Sequence, residues 1–226
     1  MLASDEPRVS MRLGILGGTF DPIHYGHLLL AETCREQLRL EQVWFLPAAV
    51  PPHKQQNELV PGPQRIEMIE LAIGGHKALA VCPYEIERSG VNYTVDTLAH
   101  FRDEDPAREL FFLMGADSLR DLPTWKEPAR LCQLAVPVVV GRAEATISQA
   151  QIGKLSVGVL APLAERLETI RMPCIELSSS DIRARVAGGR SIRYRTPRAV
   201  EKYIESHALY RRVHPSPKLP GECPGS

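Results

Sequence analysis

No apolar run in this 226-residue chain approaches the roughly 18 residues of a membrane span, so no membrane role is expected. The first ten residues, MLASDEPRVS, also lack the apolar stretch of a signal peptide. Cysteine is scarce and scattered. Cys34, Cys82, Cys132, Cys174 and Cys223 form no C-x-x-C pair, which points to reduced thiols rather than a disulfide framework. A cytoplasmic location is the expectation. There is no internal repeat. There is also no net charge, since 27 Lys and Arg balance 27 Asp and Glu. A protein that coats nucleic acid normally carries a large basic excess, so no nucleic-acid partner is expected.

The remaining composition is ordinary. Hydrophobic residues at 44% and charged residues at 24% describe a globular chain that can build its own core. Its length suits one domain. The neutral total hides an asymmetry. Between Arg171 and Arg212, ten basic residues face four acids, while residues 1–170 carry sixteen basic and twenty-two acidic side chains. The basic third could serve a small anionic ligand.

Apolar runs suited to buried strands alternate with helical patterns, the signature of a parallel sheet covered by helices. Strands are expected at Met11–Leu16, Val43–Leu46, Ala78–Ile86, Glu109–Met114, Leu134–Val140 and Cys174–Leu177. Pro137 pushes the fifth toward an edge or a bulge. Leu28, Ala31, Cys34 and Leu38 mark one helix face, and Ile66, Ile69 and Ile73 another, behind Pro63. Further helices are expected over Thr94–Arg102, Ser179–Ala187 and from Pro197 through Ile204. Residues 144–170 read as a partly helical insertion. The fold class is α/β, doubly wound, with a mostly parallel sheet in a single domain over 11–212. Residues 1–10 and 213–226 read as disordered tails.

The strongest local feature is Gly17-Gly18-Thr19-Phe20-Asp21-Pro22-Ile23-His24-Tyr25-Gly26-His27, set between a strand and a helix. In open parallel sheets, ligands bind where strands end and helix N-termini present free N–H groups. The paired glycines let backbone approach a ligand, and His24 and His27 share one face of the first helical turn. This is neither G-x-x-x-x-G-K-[ST] nor G-x-G-x-x-G. A tight turn with two capping histidines is the bland alternative. A metal site lacks a clear third and fourth ligand, so no metal ligands are assigned. A second anion site is suggested by Leu177-Ser178-Ser179-Ser180-Asp181-Ile182-Arg183, where hydroxyls, free amides and Arg183 meet at a helix start. The same residues also fit a plain Ser cap on a solvated basic helix.

GGTFDPIHYGH together with SSSDIR resembles the HxGH nucleotidyltransferase superfamily. PPHK (51–54), YTVDTL (93–98), GADSL (115–119) and LPTW (122–125) resemble its bacterial nicotinate-mononucleotide adenylyltransferases. The likeness runs from about Arg12 to Arg211. It implies a Rossmann-like fold and transfer of AMP from ATP to nicotinate mononucleotide, giving deamido-NAD and pyrophosphate, with Mg²⁺ on the ATP. It further implies direct attack of the mononucleotide phosphate on the α-phosphorus.

By this resemblance His24, His27 and Arg183 are the catalytic candidates. Gly17, Gly18, Thr19, Phe20, Gly115, Asp117 and Ser180 are expected on ATP, and Lys54, Tyr93, Thr94, Trp125 and Arg142 on the mononucleotide. Each of several residues also has a plain reading: Asp117 and Thr94 as helix caps, Trp125 as a core aromatic, Arg142 as a loop charge. His53 and Arg65 read as surface or structural, and Arg190, Arg193 and Arg195 as a solvated or interface face. Two departures stand out: Ala48-Ala49 where relatives carry Asn, and Ser180 where they carry Thr. A sister activity on nicotinamide mononucleotide or pantetheine phosphate is the alternative. More remote are a non-catalytic nucleotide sensor and an RNA-contacting module. Homo-oligomerisation is left open.

Overall fold

A computed structural model describes residues 10–49, 59–88, 90–142 and 166–211. Six strands make one parallel sheet: β1 (Arg12–Gly18), β2 (Gln42–Pro47), β3 (Leu79–Val81), β4 (Glu109–Gly115), β5 (Val136–Arg142) and β6 (Glu168–Met172). Their spatial order is β3-β2-β1-β4-β5-β6, so the winding reverses between β1 and β4. Register is fixed there by Leu16 opposite both Phe45 and Leu113.

Both faces of the sheet are covered, which is why its central strands are nearly unbroken apolar runs. Leu16, Phe45, Phe111, Leu113, Val138 and Val140 point into one buried cluster. It is closed by α1 (Tyr25–Gln37), α2 (Gly62–Ile73), α7 (Ser179–Ala187) and α8 (Arg198–Ser206), through Ala31, Met68, Ile69, Ile182, Val200 and Ile204. Leu13, Ile15, Leu110, Phe112, Met114 and Val139 point the other way. There they meet Leu98, Phe101, Leu119 and Leu131 from α4 (Thr94–Glu104), α5 (Ala116–Asp121) and α6 (Pro128–Leu134). The doubly wound α/β class read from the sequence is the observed one. Among the described residues no helix is long and apolar enough to cross a membrane.

Three strand expectations are corrected. The third strand is confined to Leu79–Val81, and Tyr84–Arg88 forms the short helix α3. Pro137 lies in an interior strand, paired with Phe112 of β4, but β6 joins only from Val138 onward. The missing N–H therefore sits just ahead of the β6 ladder. The last strand is Glu168–Met172, not Cys174–Leu177. It is an edge strand with Ile170 alone buried, so it carries no apolar run to mark it. Most of the expected insertion, 144–165, and most of both expected tails lie outside the described residues.

Candidate active site

The crevice outside the carboxyl ends of β1 and β4 is where an open α/β sheet reverses and takes ligands. Gly17 and Gly18 end β1, and Gly115 ends β4 and precedes α5. Between β1 and α1 runs the loop from Thr19 to His24, and side chains from distant parts of the chain hold its carbonyls. Arg65 Nη1 donates to Thr19 O at 2.8 Å and Arg183 Nη1 to Asp21 O at 2.6 Å. Ser179 Oγ donates to Pro22 O at 2.8 Å, and Thr196 Oγ1 to Ile23 O at 2.7 Å. The loop is thereby fixed to α2, to α7 and to the segment entering α8. The Asp21–Pro22 peptide is cis.

Phe20 takes a φ of +50°, in the left-handed region that a bulky residue avoids. Its ring is turned fully into the core, edge-on to His27 at 5.0 Å and to Phe45 at 5.6 Å. A contact of Phe20 with nucleotide would have to come through its backbone. The ring instead forms the floor beneath His27.

His24 is the N-cap of α1 and is 5% exposed, and its ring stacks on that of His27 with centroids 3.7 Å apart. The His24 backbone N–H donates to His27 Nδ1 at 3.3 Å. A nitrogen that accepts this bond carries no proton, so neutral His27 holds its proton on Nε2, as a donor. Gly26 makes the stack fit: a methyl there would lie 3.0 Å from both Cε1 and Nδ1 of His24. Burial pushes the His24 imidazole down to about 4. His27 is also well below the usual histidine range, from burial and then from the charge His24 would carry. The pair is neutral at pH 7.

Across the loop, Ser178 is the N-cap of α7, its Oγ accepting from Asp181 N at 3.1 Å. Ser179 is used on Pro22, which leaves Ser180 exposed at the helix start with Arg183 Nη2 donating to its Oγ at 3.2 Å. The cap reading of SSSDIR is met by Ser178, and Ser180 and Arg183 stand together at the helix start where the anion site is expected. Arg183 is tied to the histidine loop and remains partly exposed.

The other candidates divide. Trp125 rests edge-on against Phe112 at 5.8 Å, and Phe112 lies 3.6 Å from where a Gly17 side chain would begin. That sets Trp125 one ring away from the β1 end. Tyr93 is the half-exposed N-cap of α4 and Thr94 its first residue. Lys126 Nζ lies 4.6 Å from the Tyr93 ring and 2.8 Å from Asp96, binding the Trp125 segment to that helix start. Asp117 is in the first turn of α5, and Arg142 ends β5. Lys54 and His53 fall outside the described residues.

Arg195 pairs with Asp181 at 2.9 Å, and Arg193 faces Glu201 at 3.9 Å, so these arginines of the basic third are engaged in ion pairs. At the departure from the family pattern, Ala48 N–H donates to Gly18 O and Ala49 O accepts from Arg65, so backbone joins this stretch to the site.

Arg65, read from the sequence as surface or structural, is structural, and sequence reasoning missed one member of the site, Tyr210. Arg65 is 1% exposed and donates to three carbonyls: Thr19, Ala49 and Val60. Its place one helical turn from Met68 and Ile69 on the buried face of α2 was the available signal. Tyr210, whose hydroxyl donates to Asp21 Oδ1 at 2.6 Å, had none.

A family model described as cytidylyltransferase-like matches residues 15–185. A probable nicotinate-nucleotide adenylyltransferase of Thermomicrobium roseum is 46% identical over 203 residues, covering 89% of this chain and 92% of that protein. One of Thermus thermophilus is 44% identical, covering 89% and 100%. In shape, the chain is similar to Plasmodium falciparum nicotinic acid mononucleotide adenylyltransferase complexed with NaAD, at a TM-score of 0.73 and 20% identity, covering 88% and 97%.

Proposed function

The chain belongs to the cytidylyltransferase-like family and, within it, to the nicotinate-nucleotide adenylyltransferases, and on that premise we propose how its residues carry AMP from ATP to nicotinate mononucleotide, yielding deamido-NAD and pyrophosphate. The observation that carries the proposal is the stacked His24–His27 pair on a clamped loop, with Arg183 bound to the same loop.

A phosphate oxygen of the mononucleotide attacks the α-phosphorus of ATP. The bond to the bridging oxygen of the β-phosphate breaks in line with it, and pyrophosphate leaves. No covalent enzyme intermediate forms, so the protein contributes positioning and charge stabilisation. His27, with its proton on Nε2, donates to phosphate oxygens where charge grows. Its neighbour His24 does the same at the positive end of α1. The field of a bound triphosphate opposes burial and raises both pKa values, which strengthens the pair as donors.

Arg183 and Ser180 hold the departing β- and γ-phosphates. Gly17, Gly18 and Thr19 lie along the nucleotide, with Gly115 and Asp117 at its adenosine. Trp125 stacks on the pyridine ring, and Tyr93 and Thr94 surround its carboxylate. Lys54 and Arg142 complete the mononucleotide phosphate site. Mg²⁺ is proposed to enter with the triphosphate. Among the described residues no group of three or more His, Cys, Asp or Glu could hold a metal ion, and the site's donors suit anions. Cytoplasmic location remains part of the proposal, in keeping with free thiols at Cys34, Cys82, Cys132 and Cys174.

Removing one preorganised donor to a developing oxyanion costs on the order of 10²-fold in kcat. The test is pyrophosphate release by His27→Ala, expected to fall by that factor or more. Wild-type turnover would remove His27 from the mechanism.

A further inference from the structure

Asp21, inside the histidine motif, is 1% exposed, and its carboxylate has only a long ion-pair contact to Arg183 at 4.0 Å, with Arg65 also near enough to feel its charge. One oxygen, Oδ1, accepts from the Tyr210 hydroxyl at 2.6 Å, across 189 residues of chain. The other, Oδ2, is buried without a hydrogen-bond partner and faces Arg183 Nη1 at 4.0 Å. The same Nη1 donates to the Asp21 carbonyl at 2.6 Å, and Nη2 to Ser180 Oγ at 3.2 Å. Burying an acceptor unsatisfied is costly, and a buried charge more so. Beyond the α8 helix end, both Ala208 and Tyr210 sit at positive φ, +51° and +62°, a conformation side-chain-bearing residues rarely adopt. That turn is what returns Tyr210 to the loop.

We propose that Asp21 and Tyr210 form a positioning dyad that fixes the guanidinium of Arg183 toward the leaving pyrophosphate. Arg183 has a long, flexible stem, and a free one would give up its rotamer freedom at each turnover. The Asp21 carbonyl seats one edge of the guanidinium, and the Oδ2 charge orients it. Tyr210 fixes the carboxylate's rotation so that Oδ2, not Oδ1, faces the arginine. Burial and the Asp21 charge both push the Tyr210 hydroxyl above its ordinary range, so it stays a donor at every working pH. The inference rests on the assignment of Arg183 to the phosphates.

The test is a double-mutant cycle on pyrophosphate release. Tyr210→Phe and Asp21→Asn should each lower kcat roughly tenfold, the scale of one lost charge-assisted bond, with KM for the mononucleotide unchanged. Inhibition by added pyrophosphate should weaken in parallel. In an Arg183→Gln background neither substitution should lower kcat further. Tyr203→Phe is the control: it removes a tyrosine–carboxylate bond of the same kind, 2.8 Å to Glu67 and outside the loop, and should keep wild-type kinetics. Wild-type kcat in Tyr210→Phe, or losses that multiply in full on Arg183→Gln, would overturn the dyad. Wild-type kcat in Arg183→Gln alone would overturn the arginine's role first, and the dyad with it. If Tyr210→Phe does not fold, Asp21→Asn, which retains an acceptor for Tyr210, makes the same comparison.

Discussion

At the scale of single residues, the site works through groups whose ionisation the fold has already set. His24 is neutral because it is buried, with its imidazole pushed down to about 4 against an ordinary 6.5. The sign of the consequence follows from linkage. Below pH 6.5 the unfolded chain takes up a proton that the folded chain refuses, so stability falls as pH drops from 6.5 toward 4. His27, also depressed, adds in the same direction. Removing the His24 contribution in His24→Gln should relieve about 2 kcal/mol of the stability lost between pH 7 and pH 5. Urea midpoints at the two pH values check it, and parallel losses in wild type and variant would contradict the burial argument. ATP binding is expected to have the opposite dependence, since the field of the triphosphate raises the same pKa values. ATP titrations near pH 6 in buffers of different ionisation enthalpy should therefore register proton uptake, and none would mean that the imidazoles stay neutral.

At the scale of elements, the first turn of α1 is the part most tightly specified. Gly26 sits beneath the His24 ring, and that ring cannot retreat without breaking its 3.7 Å stack on His27. Ala is the better helix former, so Gly26→Ala should leave thermal stability nearly unchanged. It should nevertheless lower kcat by about 10- to 100-fold through displaced imidazoles. Unchanged kcat would show that the stack tolerates displacement.

This level also marks the limits of what the sequence discloses. The helices behind Pro63, over Ser179–Ala187 and after Thr94 were legible because their apolar positions recur at helical spacing and their ends carry caps or breakers. The edge strand Glu168–Met172 was not, because one buried Ile170 among polar neighbours makes no pattern. Residues 84–86 read as strand because YEI alternates apolar and polar side chains, and α3 is too short to display a helical period. In the site, the motif residues were legible as a group. Their supports were less so: Arg65, which satisfies backbone carbonyls, was legible only as surface or structural, and Tyr210 reaches its partner only through tertiary structure.

At the scale of the molecule, net neutrality proves a poor guide. The basic C-terminal third is engaged mainly within itself, through pairs such as Arg195–Asp181 and Arg198–Glu201. Arg183 is the cation it commits to the histidine loop. The whole sheet serves one crevice, where β1 and β4 end side by side and the helices that follow them begin. The acceptor is proposed to be read by the LPTW and YTVDTL segments, which carry Trp125 and Tyr93. The most direct test of the account is pyrophosphate release from ATP with nicotinate mononucleotide, nicotinamide mononucleotide and pantetheine phosphate as separate acceptors. The account predicts the highest kcat/KM for nicotinate mononucleotide and deamido-NAD formed in equal amount to pyrophosphate. Equal or better use of either other acceptor would contradict it.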